Sequence, residues 1–148
     1  MQKHPLSQEE FDSIFSKVPR LTVEVAIRTN EGIVMTKIPK GPAKGQWNVP
    51  GGTVRFGEKL VEAAQRVAQA ELGVDVTIEK NLGYIEYPEL LAAGERGWPV
   101  GIVFEATISS GILSKSDYGQ PIQCFKQIPE NTIPSQAKFF ENYLSKTY

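Results

Sequence analysis

The stretch NVPGGTVRFGEKLVEAAQRVAQAELGV, residues 48–74, places a glycine-rich turn directly before a helix. The triplet PGG (50–52) lets the backbone come close to a ligand, because glycine has no Cβ to obstruct it. A backbone carbonyl at such a turn can bind a hard cation, and amides near a helix N-terminus can bind a phosphate. We predict a helix over 58–72 that ends at Gly73, the residue type favoured by a left-handed cap. The stretch therefore predicts a site for phosphate and a divalent metal.

The predicted helix combines an apolar stripe with acidic side chains. Glu62 and Arg66 lie four residues apart and are predicted to form an ion pair. Glu58 falls in the first turn, where its charge favours the helix dipole. Glu71 lies four residues beyond Val67, on the apolar side, where burying a carboxylate is costly unless a cation or a hydrogen-bond network accompanies it. Glu71 is therefore a candidate metal ligand, the alternative being a side chain that turns out to solvent near the helix end.

Composition and charge are those of an ordinary globular protein with a single domain over 1–148. A net charge of -1 gives no field that would attract nucleic acid or an anionic membrane, so an anionic substrate must be held by local groups. Cys124 is the single cysteine, which excludes an intrachain disulfide. His4, the single histidine, is expected to be solvated. Without an apolar run near ~20 residues or a signal-peptide core, we expect a cytoplasmic protein and no membrane segment.

The rest of the chain shows strand and helix signals on both sides of this stretch. Ser7 and Glu10 have the spacing of a capping box, which predicts a helix at 8–17. The strict alternation of LTVEVAIRT predicts a strand at 21–29, and Ser135 is predicted to cap the final helix. The other predicted elements are a hairpin strand at 32–38, a loop at 39–47, one or two strands at 74–87, a loop or short helix at 88–99, a strand at 100–108, a turn at 109–111 and a short strand at 122–125. Together they predict a mixed α/β domain with a largely antiparallel or mixed sheet between helices.

The spacing of the glycine turn and the helix resembles the Nudix box, G-x5-E-x7-R-E-U-x-E-E-x-G-U, where U is aliphatic. The positions that match are Gly52, Glu58, Arg66, Glu71, Gly73 and Val74. The resemblance implies an α/β (α+β) fold, namely a Nudix-type α/β/α sandwich with a mixed central sheet. It also implies hydrolysis, dependent on Mg²⁺ or Mn²⁺, of a nucleoside diphosphate linked to another group.

Two positions depart from that box, since Val67 and Ala70 stand where the family has glutamates. In ordinary Nudix enzymes these carboxylates help to hold two or three metal ions. Their loss predicts weak binding of several ions, because Mg²⁺ sites depend on carboxylates and substrate phosphates together. One ion can still be held by Glu71, the Gly51 carbonyl, water and a diphosphate.

The same two losses are familiar from the GDP-mannose mannosyl hydrolase branch, which this chain also resembles in PAKGQWNVPGG, residues 42–52. In that branch one Mg²⁺ binds the diphosphate and water attacks the anomeric carbon of the sugar, so that the nucleoside diphosphate leaves. Such chemistry needs less metal, because the ion mainly neutralises the leaving diphosphate. The resemblance therefore implies a nucleoside diphosphate sugar as the substrate. It also implies a homodimer, which is common in that branch.

The identity of the general base is open at this stage. The branch uses a histidine in a late loop, and an approximate alignment places Gln120 there. A glutamine can position water but cannot accept its proton near neutral pH. The alternative base is a glutamate of the 84–99 segment, that is Glu86, Glu89 or Glu95. Arg66 is expected to hold the helix carboxylates in place.

Several side chains are candidates for contacts with the substrate. Gly52 permits close approach of the phosphates, and Arg55 can replace an arginine that the branch has directly after the double glycine. Lys37 either contacts a phosphate or is a solvated loop lysine. Glu24 aligns with an acidic residue that contacts the base in the branch, the alternative being a salt bridge within the sheet. Tyr87 either stacks on a nucleobase or sugar or packs in the core.

Three functions are compatible with these features. The first is metal-dependent hydrolysis of a nucleoside diphosphate sugar such as GDP-mannose, at the glycosyl or the pyrophosphate bond. The second is a Nudix-fold module that binds a nucleotide with little or no turnover, which the missing carboxylates favour. The third is a MutT-like nucleotide pyrophosphohydrolase, which fits least well because its metal cluster needs the carboxylates missing at 67 and 70.

Overall fold

The computed structural model describes residues 4–92, 97–114 and 120–148. The elements in chain order are α1 (Gln8–Phe15), β1 (Pro19–Thr29), β2 (Gly32–Lys37), β3 (Trp47–Asn48), β4 (Gly51–Thr53), α2 (Leu60–Leu72), β5 (Asp75–Glu86), α3 (Pro88–Ala92), β6 (Trp98–Ser110), β7 (Ile122–Phe125) and α4 (Pro134–Thr147). Most of the predicted helices and strands are present, with the differences given below. Within the described ranges, no helix is long and apolar enough to span a membrane.

The strands form a mixed sheet in which β1 is central. Hydrogen-bonded neighbours follow the order β3-β2-β1-β6-β5, while β4 also pairs with β1 and β7 with β2. β1 and β6 run parallel, from the pair Pro19–Trp98 to the pair Ile27–Ala106. The other paired strands are antiparallel. The predicted mixed sheet is confirmed, and its topology places the glycine strand β4 beside the first half of β1.

Helices cover both faces of β1, so this strand is buried on both sides. Val23, Val25 and Ile27 share one core with α2. Ala26, on the other face, belongs to a second core that includes Phe140 of α4. Full burial of a large apolar side chain contributes about 1.5–3 kcal/mol, so the two cores hold the layers together. The predicted α/β/α sandwich is confirmed, and the less apolar face of β1 is buried because α4 packs over that side of the sheet.

The helix of the glycine stretch begins two residues later than predicted. α2 starts at Leu60, and Glu58 lies in the turn before it. The Lys59 N–H donates to the Glu62 carboxylate at 3.1 Å, which satisfies one of the free donors at the helix start. At the other end Gly73 adopts a φ of 71°, which confirms the predicted left-handed cap. The turn and the helix are therefore separated by a short loop that contains Glu58.

The predicted cap of the final helix is wrong. Ile133 occupies the N-cap position of α4, and Pro134 opens the helix, since its fixed φ suits the first turn. The Ser135 N–H and hydroxyl instead donate to the Glu89 carboxylate at 3.0 and 2.6 Å. Because Glu89 belongs to α3, these bonds tie α3 to the start of α4.

Other boundaries also differ from prediction. The predicted turn at 109–111 is wrong in part, because β6 continues to Ser110, whose hydroxyl donates to Asp75 of β5 at 2.7 Å. The predicted loop at 39–47 ends in β3, where Trp47 pairs with Lys37 of β2. The first helix has the predicted capping box but ends at Phe15 rather than at residue 17. None of these changes moves the glycine strand or α2.

Candidate active site

The predicted glycine turn is the short strand β4, which pairs with β1. Glu24 lies opposite Gly51, and Val23 lies opposite Gly52. A Cβ on Gly51 would collide with the Glu24 carboxylate, and a Cβ on Gly52 would lie 3.1 Å from Val67 Cγ2. Close packing therefore requires glycine at position 51 and leaves little room for a side chain at position 52. It brings the β4 backbone, the Glu24 carboxylate and the α2 helix into contact.

The pairing also orients the backbone carbonyl of Gly51. In an antiparallel ladder, pairs that exchange hydrogen bonds alternate with pairs that do not. The Val25 N–H donates to the Pro50 carbonyl at 2.8 Å. Since this bond makes Val25 and Pro50 a hydrogen-bonded pair, the neighbouring pair of Glu24 and Gly51 exchanges no backbone hydrogen bonds. The Gly51 carbonyl oxygen therefore faces away from β1. That orientation is compatible with its predicted role as a metal ligand.

Arg66 joins the glycine strand to the helix. Its guanidinium donates to the Glu58 carboxylate at 2.7 and 2.9 Å and to the Thr53 carbonyl at 3.0 Å. The hydrogen bond from Arg66 is the main cause that lowers the pKa of Glu58. The predicted Glu62–Arg66 pair is wrong, because Glu62 instead accepts from the Lys59 N–H at 3.1 Å. Arg66 thus fixes one carboxylate and the end of β4 against the same helix.

Replacing Arg66 should destabilise the protein, because Arg66→Ala leaves Glu58 without its charge partner in a half-buried site. The two side chains are only 19% and 14% exposed, and we expect a loss of roughly 2–3 kcal/mol in the free energy of unfolding. Urea denaturation measures it. The matched control is Arg28→Ala, since Arg28 is 43% exposed and 3.8 Å from Glu105, a contact worth at most about 1 kcal/mol. Equal losses in the two variants would contradict this role of Arg66.

A cavity of about 210 Å³ opens beside the glycine strand. It lies between β1, β4 and the start of α4, and its lining includes Arg20, Thr22, Glu24, Gly51, Gly52, Tyr87 and Gln136. A larger groove of about 780 Å³ runs between β5 and α4, but its lining contains no residue of the glycine strand. The smaller cavity is therefore the candidate substrate site.

A chain of buried hydrogen bonds leads from the glycine strand through this cavity to α4. Glu24 Oε1 accepts from the Thr22 hydroxyl at 3.1 Å and from the Tyr87 hydroxyl at 3.0 Å. Gln136 donates to the Tyr87 hydroxyl at 3.1 Å and accepts from the Val49 N–H at 2.8 Å. Both of these hydrogen bonds to Glu24 come from hydroxyl groups and not from a charged partner in the sheet. Tyr87 packs in the core, which was one of its two predicted alternatives.

Burial changes the protonation of Glu24. It raises the pKa of this carboxyl from 4.5 to about 7, although the hydrogen bonds from Tyr87 and Thr22 and the charge of Arg20 act in the opposite direction. Burial also raises the pKa of the Tyr87 hydroxyl, so that it stays a donor at neutral pH. A carboxyl that titrates near neutral pH inside a cavity can accept or release a proton during a reaction.

Comparison with known proteins identifies the family. The family model described as NUDIX domain matches residues 18–110. The chain belongs to the Nudix family. The predicted membership of a hydrolase family is confirmed, and the matched range contains the glycine strand, α2 and most of the sheet.

Two curated relatives of this Nudix chain match over different lengths. The low-salt glycan biosynthesis protein Agl8 of Haloferax volcanii is 44% identical over 82 residues, which are 55% of this chain and 53% of Agl8. An ADP-ribose pyrophosphatase of Methanocaldococcus jannaschii is 28% identical over 130 residues, 85% of this chain and 73% of the relative. The match to Agl8 thus spans only about half of either protein.

Solved Nudix structures share the fold. The MutT Nudix hydrolase of Burkholderia pseudomallei superposes with a TM-score of 0.68 at 24% identity, covering 84% of this chain and 98% of that one. A Nudix hydrolase of Nitrosomonas europaea gives a TM-score of 0.67 at 19% identity, covering 86% and 71%. These structural similarities confirm the predicted α/β/α sandwich fold.

Nudix hydrolases use divalent metals, and the residues of this chain fit one ion better than several. In the part of the chain that the structure describes, no group of three or more His, Cys, Asp and Glu side chains is placed to hold a metal. Val67 is buried in the core, and Glu58 is bound by Arg66. Glu71 is half-buried near the end of α2. Glu71 and the Gly51 carbonyl stay predicted ligands of a single ion whose other ligands would be water and substrate phosphate, an arrangement common for Mg²⁺.

The structure adds Arg20 and Gln136, which the sequence did not single out. Arg20 lines the cavity, donates to the Thr53 hydroxyl at 2.9 Å and lies over the Phe11 ring at 5.6 Å from its centroid. The predicted strand began at 21, so Arg20 fell just outside it, whereas β1 begins at Pro19. A predicted strand that began at 19 would have placed Arg20 on the same face of the strand as Glu24. No local signal marked Gln136, which reaches the cavity from α4.

Two predicted site residues lie elsewhere. Lys37 Nζ is 5.1 Å from the centroid of the Trp47 ring, in a cation–π contact on β2. Gln120 is half-buried just before β7. Neither residue lines the cavity beside the glycine strand. The Arg55 N–H donates to the Glu58 carboxylate at 3.1 Å, which places the start of the Arg55 side chain beside the Glu58–Arg66 pair.

The described glutamates among the predicted alternatives for the general base, Glu86 and Glu89, do not line the cavity. Glu89 accepts two hydrogen bonds from Ser135 and has a structural role. Glu86 is exposed and lines the larger groove. Glu95 lies outside the described residues. Among the described residues, Glu24 is the acidic residue that lines the candidate substrate site.

The expectation that His4 is solvated is wrong. Its Nδ1 accepts from the Leu6 N–H at 3.1 Å, and its ring packs edge-on against Phe11 at 5.4 Å between centroids. Its Nε2 is buried. No local sequence pattern indicates this packing, because it depends on α1 lying close to the start of β1.

Proposed function

We propose that this Nudix chain is a metal-dependent hydrolase of a nucleoside diphosphate sugar. The observation that supports it best is the contact between the Val67 side chain and the Gly52 backbone. Here a methyl group, rather than a carboxylate, faces the glycine strand, while the Glu58–Arg66 pair and Glu71 are retained. A site with one metal-binding carboxylate suits a reaction in which the metal neutralises a leaving diphosphate, because such a reaction needs fewer ions.

The chain supplies residues for each part of this reaction. Glu71 and the Gly51 carbonyl would hold Mg²⁺ or Mn²⁺, which when bound neutralises charge on the diphosphate. In this proposal the phosphate oxygens are bound by Arg20, at the wall of the cavity, and by Arg55, in the loop before α2. Gly52 allows the substrate to lie close to the β4 backbone.

Glu24 is the proposed proton acceptor. Its carboxylate touches the Gly51 backbone, which places it next to the proposed metal ligand. A pKa of about 7 suits a general base that works near neutral pH. In the proposed step, the oxygen of water bonds to the anomeric carbon while the bond from that carbon to the diphosphate breaks. The water proton passes to Glu24, and the nucleoside diphosphate leaves with the bonding electron pair.

The curated relatives support a sugar nucleotide as the substrate class. The name of Agl8 refers to glycan biosynthesis, a process that uses activated sugars. The substrate in the name of the second relative, ADP-ribose, is itself a nucleoside diphosphate joined to a sugar. GDP-mannose and GDP-glucose are the first compounds to test, because the sequence from 42 to 52 resembles the mannosyl hydrolase branch.

The proposal predicts the position of bond cleavage. The protein is incubated with GDP-mannose and GDP-glucose, in which the diphosphate is bonded to the anomeric carbon, each with Mg²⁺ in oxygen-18 water, and the products are analysed by mass spectrometry. We expect the label on free sugar and none on the nucleoside diphosphate, as attack at carbon requires. Label on phosphate would show attack at phosphorus and would remove the role of Glu24 at the anomeric carbon. Full activity in excess chelator would contradict the metal requirement.

The buried Val67 also favours a second candidate, a Nudix-fold module that binds sugar nucleotides without turnover. Its hydrogen-bonded cavity and basic side chains would then serve recognition alone. Saturable binding of GDP-mannose, measured by calorimetry, together with no product over a long incubation would support this alternative. Measurable turnover above the uncatalysed rate would exclude it.

A further inference from the structure

The groove between β5 and α4 combines the volume of a ligand site with positive charge. It holds about 780 Å³, within the range of about 300–1,000 Å³ that is common for ligand pockets. Lys80 of β5 and Lys138 and Lys146 of α4 line it, and among the described residues its acidic lining residue is Glu86. None of the three lysines forms an ion pair within the described ranges. The groove therefore carries an excess of positive charge, although the whole chain has a net charge of -1.

A β-bulge in β5 turns Lys80 towards this groove. Val76 and Ile78 pack against the core shared with α2, and strict alternation would place Lys80 on that same face. The register shifts between Ile78 and Lys80, so that Lys80 pairs with Glu105. The Glu105 carboxylate accepts from the Tyr143 hydroxyl of α4 at 2.7 Å, which identifies this face as the α4 side. The bulge therefore places a lysine at the groove instead of against α2, a use of bulges that is known from other sheets.

Lys80 and Lys146 lie at the same end of the groove. The bond between Tyr143 and Glu105 brings that part of α4 to the strand position opposite Lys80. Lys146 follows Tyr143 by three residues, so it lies on the same side of the helix, about one turn further along. Glu105 is buried, and its carboxylate is bound by Tyr143 and lies 3.8 Å from the Arg28 guanidinium. The two ammonium groups at this end are therefore suited to phosphate oxygens.

An aromatic surface follows three residues beyond Lys80. A Cβ built on Gly83 would lie 3.9 Å from Phe139 Cε2, which places the Phe139 ring against β5 at this point. Tyr84 also lines the groove and is 63% exposed, so most of its ring is open to a ligand. Exposed aromatic rings beside positive charge are the features on which nucleobases stack while their phosphates are bound.

We propose that the groove between β5 and α4 is a second ligand site, which binds a nucleoside phosphate. The base stacks on Tyr84, and the phosphate oxygens accept from Lys80 and Lys146. An acidic peptide would satisfy the lysines but would leave the Tyr84 ring without a planar partner. The groove and the candidate substrate site are distinct, since their described linings share no residue. Binding in the groove therefore does not require hydrolysis at the glycine strand.

The first experiment follows two backbone amides by NMR while GDP is added without metal. Gly83 reports on the groove, and Gly52 reports on the candidate substrate site. We expect a saturable shift at Gly83, with an apparent affinity that falls at least about tenfold in the double variant Lys80→Gln/Lys146→Gln, because hydrogen bonds from charged groups are lost. Lys126→Gln is the matched control, since Lys126 is exposed after β7, which lies on the other side of β1 from β5.

The two reporters separate this site from the proposed function. A shift at Gly83 without a shift at Gly52 supports the groove site even if no sugar nucleotide is hydrolysed. A Gly83 signal that stays in place at millimolar GDP would overturn the proposal, as would equal affinities in the double variant and the unmodified protein. A Gly83 signal that moves with protein concentration alone would show that a second copy of the chain covers the groove, and would also overturn it.

The second experiment separates the base from the phosphates. Tyr84→Ala should weaken binding of GDP in the groove by about fivefold or more, as for the loss of one stacked base, and should leave binding of inorganic pyrophosphate unchanged. Because Tyr84 is largely exposed, its removal should not affect the fold. Equal losses for GDP and pyrophosphate would contradict stacking on Tyr84. Tighter binding of a polyglutamate peptide than of GDP would show that the occupant is an acidic protein segment, and the proposal would be wrong.

Discussion

Glu71→Gln is expected to abolish metal-dependent hydrolysis of the nucleoside diphosphate sugar, with a fall in kcat of about 10³-fold or more. Glu71 is the box carboxylate retained near the end of α2 and is the proposed metal ligand, and the amide removes the charge that attracts a divalent cation. Metal stabilisation of a leaving group is worth several kcal/mol, and each ~1.4 kcal/mol changes the rate tenfold. Turnover is measured at saturating Mg²⁺ and substrate, and Mn²⁺ binding in the presence of GDP is measured by electron paramagnetic resonance.

The matched control is Glu62→Gln on the same helix. Glu62 is exposed and accepts from the Lys59 N–H, a bond that the amide oxygen of glutamine can also accept. This variant should keep its activity and its affinity for Mn²⁺. Both variants should have unfolding midpoints close to that of the unmodified protein, so that a loss of activity is not a loss of fold. Full activity in Glu71→Gln would contradict the single-carboxylate metal site.

The sequence predicted the parts of the site that depend on local patterns. The glycine pair, the helix and the cap at Gly73 follow from residue types a few positions apart, and all three are present. The ion pair of Arg66 was assigned to Glu62 instead of Glu58, because the prediction began the helix at 58. Once α2 begins at Leu60, Glu58 lies in the turn above the helix and within reach of Arg66.

The parts that were missed depend on contacts between distant segments. Alternation in β1 indicated which face Glu24 occupies, but not that Tyr87 and Gln136 would bury it there. His4 and Arg20 meet through Phe11, and their spacing in the sequence gives no signal for that contact. The family box therefore predicted the glycine strand and its helix, while the buried hydrogen bonds around Glu24 became visible only in the fold.

Glu24→Gln is expected to make the protein more stable at high pH and inactive. The folded pKa of about 7 exceeds the ordinary value of 4.5, so the folded state binds this proton more tightly than the unfolded state does. The stabilisation is complete below pH 4.5 and is lost as the pH rises through about 7. The difference corresponds to on the order of 3 kcal/mol in the free energy of unfolding. The substituted amide does not titrate and can still accept from Thr22 and Tyr87, so it should remove this loss.

Urea denaturation between pH 4.5 and pH 8.5 measures the stability part of this prediction. The unmodified protein and Glu24→Gln should be similar at pH 4.5 and diverge above it, with the variant more stable by about 2–3 kcal/mol at pH 8.5. Glu79→Gln is the control, since Glu79 is exposed on β5 and should leave the pH dependence of the unmodified protein in place. Parallel curves for Glu24→Gln and the unmodified protein would mean that another group causes the slope.

The activity of the same variant separates a catalytic carboxylate from a structural one. In the unmodified protein, kcat/KM should rise with pH through about 7 as Glu24 ionises, and Glu24→Gln should lose about 10²–10⁴-fold, the usual contribution of a general base. A group kept only to stabilise the fold would be better as an amide, because the buried charge above pH 7 costs stability. A variant with greater stability and without activity would therefore show that the carboxylate at this position is retained for the reaction. A variant with unchanged kcat/KM would show that the proton of water goes elsewhere.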